Sequence, residues 1–187
     1  TNKSIQKTLD FMKRGIPIIH SAPFKDTVNN TRGIIDLLVR NDYISKIVSD
    51  YIPVQDNESK FGNYHYVVID VKFSTLQLLS DGIHLSNSSK YAFYKTQTRI
   101  YTEAVGCIQN FTPRYSYILG RGYKYNSASV KYSDNSCCRK LGVIDFDDND
   151  SEYVQKCKDA KKWIRLVKQK GSDWSINPPT VPELYPN

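Results

Sequence analysis

The sequence lacks any run of about 18 consecutive apolar residues, the length that a transmembrane helix requires. No membrane-spanning segment and no membrane partner are therefore expected. The chain opens with the polar, amphipathic stretch TNKSIQKTLDFMKRG, which does not resemble a secretory signal peptide. An intracellular protein is the expectation, in a host cytoplasm or a viral factory if the source is viral. The opening also lacks Met, which is typical of a processed chain or a piece of a longer one.

Cysteine is scarce, and its spacing excludes the common cysteine-based scaffolds. The chain has four cysteines: Cys107, Cys137, Cys138 and Cys157. They form no C-x-x-C motif and no His/Cys spacing of a zinc site. Without a secretory signal, reduced thiols are the default. The sequence thus predicts a fold held by its core rather than by disulfides or zinc.

Positive charge is in excess, with a formal net charge of +7 and a pI near 9.1. Such a balance fits a polyanionic partner, nucleic acid being the usual one. A basic surface that is only solvated explains the net positive charge equally well. A length of 187 residues suits one domain with a core of its own. We expect that domain at 1–175, followed by a Pro-rich tail at 176–187.

The hydrophobic pattern predicts an α/β (α+β) fold, a central mixed β-sheet flanked by helices. Predicted helices span the first residues up to Gly15, 90–111 and 147–171. Predicted strands are 16–21, 32–42, 64–74, 114–126 and 140–146, whereas 43–52 is ambiguous between strand and helical turn. The last helix has an apolar stripe at Val154, Cys157, Ala160, Ile164 and Val167. The acidic run at 145–150 suits a helix N-terminus.

One predicted core strand, YHYVVIDVKFS at 64–74, carries two charges. Asp70 and Lys72 are two residues apart, so both side chains project onto one face. Burying a charge is costly unless it is paired or binds a metal. The two residues therefore form a structural ion pair or belong to a site.

A second apolar strand, GIIDLLVR, is interrupted by Asp36 in the same way. If the two strands are neighbours, Asp36, Asp70 and Lys72 converge. Two carboxylates and a backbone carbonyl suit Mg²⁺ or Mn²⁺, and a lysine beside them can offset charge on a phosphoryl oxygen. A simple ion pair of either Asp with Lys72 or Arg40 is the competing interpretation. The presence of both Asp residues favours the site.

Three motifs in this order resemble the PD-(D/E)xK nuclease superfamily: Gly33-Ile-Ile-Asp36, Asp70-Val71-Lys72 and Gln97-Thr-Arg-Ile-Tyr101. The resemblance is closest to its RecB-like branch, with CRISPR-associated and phage lambda-type exonucleases and giant-virus relatives. It implies a restriction-endonuclease-like core. Asp36, Asp70 and the Val71 backbone carbonyl would hold Mg²⁺ or Mn²⁺, and Lys72 would be the catalytic lysine. Gln97 and Tyr101 would contact the DNA backbone or brace the site.

The chain departs from the family pattern at its third ligand and at its cysteines. The family's third carboxylate or histidine comes from an upstream helix, where this chain offers only Asp10, His20 and Asp26. His20 is a candidate metal ligand; otherwise the missing acid lies before residue 1 or the second metal is held weakly. All four cysteines follow the nuclease motifs without cluster spacing, so no iron–sulfur cluster is expected.

Basic and aromatic residues interleave after the motifs, as in surfaces that bind single strands. The set comprises Arg99, Arg114, Arg121, Lys124, Lys131, Arg139 and Lys140 with Tyr115, Tyr117, Tyr123, Tyr125 and Tyr132. Arg99 and Arg121 are the leading DNA contacts. A tyrosine-rich strand surface is an equal alternative.

The sequence therefore predicts a metal-dependent DNase, an exonuclease rather than an endonuclease, acting on single- or double-stranded DNA in repair or defence. The alternative is a catalytically weak nucleic-acid-binding module on a nuclease fold. A restriction-type endonuclease is a weaker third option. A homo-oligomer or a helicase partner is compatible with the resemblance.

Overall fold

The computed structural model describes residues 2–185, and within this range it has four α-helices and six β-strands. The helices are α1 (Asn2–Lys13), α2 (Ile44–Ile47), α3 (Ala92–Gln109) and α4 (Glu152–Lys170). The strands are β1 (Ile18–Asp26), β2 (Thr31–Arg40), β3 (Tyr66–Gln77), β4 (Tyr115–Ser127), β5 (Val130–Asp134) and β6 (Gly142–Asp145). None of the helices in this range is long and apolar enough to cross a membrane.

The six strands form one mixed sheet in the order β1-β2-β3-β4-β5, with β6 also paired to β4. All neighbours are antiparallel except β3 and β4. A parallel pair needs a long crossover connection, and α3 lies in that crossover. This arrangement confirms the predicted mixed sheet flanked by helices.

Alternation along β3 divides the core into two sides. Tyr66 and Val68 pack with Met12 of α1 and with Ala104 and Val105 of α3. The alternate residues of β3, Val67 and Ile69, pack on the opposite face, in a cluster that also contains residues of the segment after β2. That cluster includes Val39, Ile44, Val48, Ile52, Val67, Ile69, Tyr117 and Val143. One face of the sheet is thus covered by α1 and α3, and the other by α2 and its continuation.

The structure corrects three element predictions. The first strand runs to Asp26, well beyond the predicted 16–21. The ambiguous segment 43–52 begins with a helical turn, α2, whose Ile44 is buried. Strand β5 was not predicted, because its exposed sequence VKYSD has no apolar alternation and is defined only by pairing with β4.

The apolar stripe of α4 is covered over its first half alone. Tyr153 and Cys157 are buried, whereas Ile164 and Val167 are exposed. The apolar stripe that the spacing predicts is therefore only partly packed on the domain. Beyond α4 the chain folds back, since the rings of Trp163 and Trp174 stack with centroids 5.4 Å apart. Residues 186–187 of the predicted tail lie outside the described range.

Two acids of the run at 145–150 have a structural role that the helix N-terminus does not explain. Asp145 accepts bonds of 2.7 Å from both Nε and Nη2 of Arg114. Asp150 is fully buried and pairs with the equally buried Lys95 of α3, with Nζ and Oδ1 2.5 Å apart. These acids hold the β6–α4 junction rather than cap a helix.

Lys95 has a partner for every ammonium hydrogen. Its Nζ donates to Leu85 O at 3.2 Å and to Asn87 Oδ1 at 2.8 Å, besides Asp150. The other Asp150 oxygen accepts the backbone N–H of Asp145 at 2.9 Å. A buried charge pair is stable only when its remaining hydrogen-bonding groups are satisfied in this way. The pair therefore fixes α3 against the junction between β6 and α4.

Replacement of Lys95 by Met is expected to destabilise the protein by about 3–5 kcal/mol, because Asp150 is left as an unpaired buried charge. The double variant Lys95→Met/Asp150→Asn should recover much of that loss, since Asn keeps an acceptor for the Asp145 N–H. Urea unfolding measures both. The control is Lys156→Met, which breaks an exposed pair with Glu152 on α4 and should leave the unfolding midpoint almost unchanged, because exposed ion pairs contribute little to stability. Equal effects of Lys95→Met and Lys156→Met would contradict the assignment.

Candidate active site

The site lies where β2 separates from β3. The ladder between these strands runs from Arg40–Tyr66 to Leu37–Ile69 and ends there. Past its end, Asp36 Oδ2 accepts the backbone N–H of Val71 at 2.8 Å. The carboxylate thus takes the place of the backbone acceptor that β2 no longer supplies. Asp36 is fixed at the opening of this fork between the two strands.

Backbone strain in β1 lies directly opposite Asp36. His20 pairs with Leu37 and Ala22 with Ile35, so Ser21 faces Asp36 without a ladder pair. Ser21 has φ of 47°, in the left-handed region that non-glycine residues rarely adopt. Such outliers cluster at functional sites, where the surrounding structure holds them in place. The irregularity interrupts the alternation of both strands next to the carboxylate.

Asp70 and Lys72 lie on one face of β3, as their spacing predicted. Lys72 Nζ is 2.7 Å from Asp70 Oδ2 and donates to Gln97 Oε1 at 3.1 Å. Gln97 Nε2 in turn donates to Tyr101 Oη at 3.1 Å. The ring of Tyr94, one turn before Gln97 on α3, lies 5.1 Å from the ammonium. The second and third motifs are therefore joined in one polar chain.

The Asp70 side chain is nearly inaccessible to solvent, and its environment disfavours the charge. Burial raises its pKa above the usual value; Lys72 opposes that effect, while the neighbouring Asp36 adds to it. Although Oδ2 is close to Lys72, no residue in the described range donates it a hydrogen bond of acceptable geometry. Two neighbouring carboxylates, one of them buried, match the oxygen ligands that Mg²⁺ and Mn²⁺ prefer.

The ring of Tyr101 also lies against Gly33, the glycine of the first motif. Its ring packs edge-on against Phe24, with centroids 5.5 Å apart. A Cβ at Gly33 would lie 2.9 Å from Phe24 Cε1 and 3.2 Å from Tyr101 Cε1. Only glycine gives these rings their present positions. Gly33 thus acts on the site through the rings that position Tyr101.

The candidates for a third ligand lie elsewhere. His20 pairs with Leu37 rather than with Asp36 and lines a cavity of about 330 Å³ beside α1. Asp10 is bonded to Gln6, and Asp26 accepts two backbone N–H groups in the turn after β1. In residues 2–185, no group of three or more His, Cys, Asp or Glu is arranged to hold a metal ion. The metal ligation predicted for His20 is not supported by this placement and stays a prediction.

The two arginines expected to contact DNA have different surroundings. Arg99 bonds Glu103 at 3.3 Å and lies over the ring of Phe146, so the structure does not bring it to Lys72. Arg121 is exposed on β4, its Nη2 3.3 Å from Thr75 Oγ1. Of the two, only Arg121 lies beside the end of β3 that carries the site.

The basic and aromatic stretch is largely engaged in the fold. Arg114, Arg139 and Lys140 pair with carboxylates of Asp145, Asp134 and Asp50. Tyr117 is buried and donates to Pro53 O, while Tyr125 and Tyr132 stack on each other at 4.7 Å. Lys124 and Lys131 remain exposed on β4 and β5. This placement favours the structural interpretation for most of the set.

Sequence reasoning missed two residues of the site, Tyr94 and Phe24. Tyr94 precedes Gln97 by three residues on the predicted helix 90–111, and this spacing was the available signal. Phe24 lies on β1, and nothing in the chain order places it beside Tyr101.

Neither a scan against protein-family models nor a search of the curated proteins found a match for this chain.

Gly33→Ala is expected to displace Phe24 and Tyr101 and to cost about 1–3 kcal/mol of stability, as overpacking of a core does. The Gln97–Tyr101 hydrogen bond should weaken with it. Thermal unfolding gives the stability, and ring signals of Tyr101 in an NMR spectrum report the displacement. Gly171→Ala is the matched control, because its Cβ would meet only Val167 at 3.4 Å. An undisturbed Tyr101 in Gly33→Ala would refute this role of the glycine.

Proposed function

We propose that the chain is a metal-dependent deoxyribonuclease that hydrolyses DNA phosphodiester bonds at Asp36, Asp70 and Lys72. The observation that carries this proposal is the convergence of three sequence motifs at one fork of the sheet. Asp36 lies against Val71 N–H, Asp70 against Lys72, and Lys72 against Gln97. A structural ion pair alone accounts for Asp70 and Lys72 but not for Asp36, which raises the pKa of Asp70.

Each residue of the site has a role that its contacts support. Lys72 is a fixed cation, aimed by Gln97 and Asp70, that can offset negative charge on a phosphoryl oxygen or orient the attacking water. Gln97 and Tyr101 hold this lysine and offer donors toward a DNA backbone. Mg²⁺ or Mn²⁺ at Asp36, Asp70 and the Val71 carbonyl would supply charge neutralisation and a more acidic bound water. Arg121 extends the positive surface from the site.

The proposed activity belongs to the PD-(D/E)xK type, on the strength of motif order and geometry together. Exonuclease action is the form we propose, since the resembling branch is rich in exonucleases. A catalytically weak nucleic-acid-binding module is the second candidate. It is favoured by the two-carboxylate site, because the described residues bring no third acid or histidine to Asp36 and Asp70.

Digestion of end-labelled linear DNA with Mn²⁺ should be lost in Asp70→Asn and in Lys72→Met. Loss of one group that stabilises the transition state lowers turnover about 10²–10³-fold. Closed-circular DNA of the same sequence should survive if the enzyme is an exonuclease. Fragment lengths on a denaturing gel measure both reactions.

Two exposed residues serve as matched controls in that assay, Asp159→Asn on α4 and Lys60→Met in the loop before β3. Both should digest DNA like the unaltered chain. Cutting of the circle would make the protein an endonuclease. Metal-independent DNA binding with no product from either substrate would exclude the nuclease and support the binding module.

Divalent cations are expected to stabilise the folded protein through Asp36 and Asp70. An ion at about 100 times its Kd adds about 2.7 kcal/mol, which corresponds to about 5–10 °C in Tm for a chain of this size. Thermal shift with Mn²⁺ and with Mg²⁺ measures it in the absence of DNA. Asp36→Asn and Asp70→Asn should abolish the shift, whereas Asp159→Asn should keep it. A shift that survives both site variants would place the ion elsewhere.

A further inference from the structure

A groove of about 400 Å³ lies beside the site, formed where β3 continues past Lys72 along β4. Its lining combines apolar and polar groups from both strands and from the loop after β5: Val71, Phe73, Leu119, Arg121, Asn135 and Cys137. Phe73 follows Lys72 directly in the chain. The groove is therefore continuous with the proposed active site through β3.

A β-bulge sets the position of Phe73. Lys72 pairs with Gly120 and Thr75 with Gly122, so two residues of β3, Phe73 and Ser74, face the single residue Arg121. Gly120 permits this distortion, because a Cβ there would lie 2.8 Å from Ser74 O. Bulges are frequent next to active sites, where they redirect a side chain. Here the redirected side chain is an aromatic ring next to a candidate catalytic lysine.

The ring of Phe73 is 89% exposed, the most exposed large apolar side chain among the described residues. Arg121 lies over it, with the guanidinium carbon 5.4 Å from the ring centroid. Arg121 also contacts Thr75, but no carboxylate is paired with it in residues 2–185, unlike Arg114 and Arg139. An open ring beside an arginine without a carboxylate partner presents a stacking surface and a positive charge together.

The ring of Phe73 and the guanidinium of Arg121 together suit the base and the phosphate of one nucleotide. A base stacks on an exposed aromatic ring, and its phosphate is attracted to the adjacent guanidinium. Bases inside an intact duplex have both faces covered by neighbouring pairs, so away from a duplex end the ring can accept only an unpaired base. The excess positive charge of the chain favours a polyanionic ligand but does not distinguish one strand from two.

We propose that this groove binds an unpaired nucleotide of the DNA substrate, with its base on Phe73 and its phosphate at Arg121. The substrate class is then single-stranded DNA or a frayed end. That the bound nucleotide belongs to a DNA substrate rests on the proposed nuclease function, but binding in the groove is measurable without turnover.

The test is fluorescence anisotropy in EDTA, with a labelled single-stranded oligothymidylate and a labelled duplex whose two ends are closed by non-nucleotide linkers. The unaltered chain should bind the single strand more tightly than the duplex. Phe73→Ala should weaken single-strand binding about ten-fold, within the range of one base–aromatic stack, and change duplex binding little. Arg121→Met should reduce the slope of log affinity against log salt by about one, as expected for one lost phosphate contact.

Tyr51→Ala is the matched control, a similarly open aromatic ring outside the groove, and should leave both affinities unchanged. Because Phe73 is exposed, its replacement should not alter Tm, which a thermal melt verifies. A second probe carries one abasic residue at successive positions. The unaltered chain should lose affinity at one position, and Phe73→Ala should be insensitive to it.

Unchanged single-strand affinity in Phe73→Ala would overturn the inference. Equal weakening of single-strand and duplex binding would also overturn it, since a stacked base would then not be involved. Cleavage that needs Asp70 but not Phe73 would retain the nuclease and remove the groove from it. Phe73-dependent binding without any cleavage would support the groove and exclude the nuclease.

Discussion

The buried ion pair of Lys95 and Asp150 fixes α3 against the β6–α4 junction, and the contact of the third motif with Lys72 depends on the position of α3. Both side chains are completely buried, so the pair is tolerable only because every donor of Lys95 and both oxygens of Asp150 are satisfied. Gln97 and Tyr101 follow Lys95 on the same helix. A helix free to slide or rotate would lose the contact between Gln97 and Lys72. A fully buried ion pair thus supports the partly buried contact between Gln97 and Lys72.

The charges at the fork between β2 and β3 are less well compensated than those of the buried pair. Asp36 replaces a backbone acceptor, Ser21 adopts a strained conformation opposite it, and Asp70 is buried beside another carboxylate. The strained backbone and the buried carboxylate each cost stability in the free protein. Apart from the bulge at Phe73, which adjoins the fork, the ladders of the sheet are regular, so these unfavourable terms are concentrated at one place. That concentration is the physical reason to regard the fork as a site rather than as a structural ion pair.

The sequence contained enough to predict the convergence of Asp36, Asp70 and Lys72, because charges inside apolar strands are local signals. Gln97 and Tyr101 were expected beside them only because the three motifs together resemble a nuclease superfamily. The sequence also predicted the mixed sheet and the long helices. Strand β5 was missed because its residues are exposed, and only pairing with β4 defines it. The bulge at Phe73 was missed for a related reason. A bulge depends on the register between two strands, and neither strand alone determines that register.

The distribution of charge was harder to predict than the position of the strands. Arg99, Arg114 and Arg139 looked like one basic surface, but each pairs with a carboxylate. Arg99 pairs with Glu103 one helical turn away, and Arg114 and Arg139 pair with Asp145 and Asp50, which are distant in the chain. A linear sequence shows the cations and not their partners. Arg121 differs from its neighbours only in three dimensions, where a phenylalanine rather than an acid lies beside it.

The fork also has a consequence for the solution behaviour of the protein. From Val71 to Thr75, β3 has no strand partner on its β2 side within residues 2–185, so this part presents a free edge that another chain could extend. Asp36 blocks the first N–H of that edge, Lys72 places a charge beside it, and the bulge distorts the strand beyond Lys72. The charged residues of the site are therefore also its protection against intermolecular strand pairing. Apolar replacements at Asp36 or Lys72 create a risk of aggregation, and a loss of activity in such variants is interpretable only for protein that remains monodisperse.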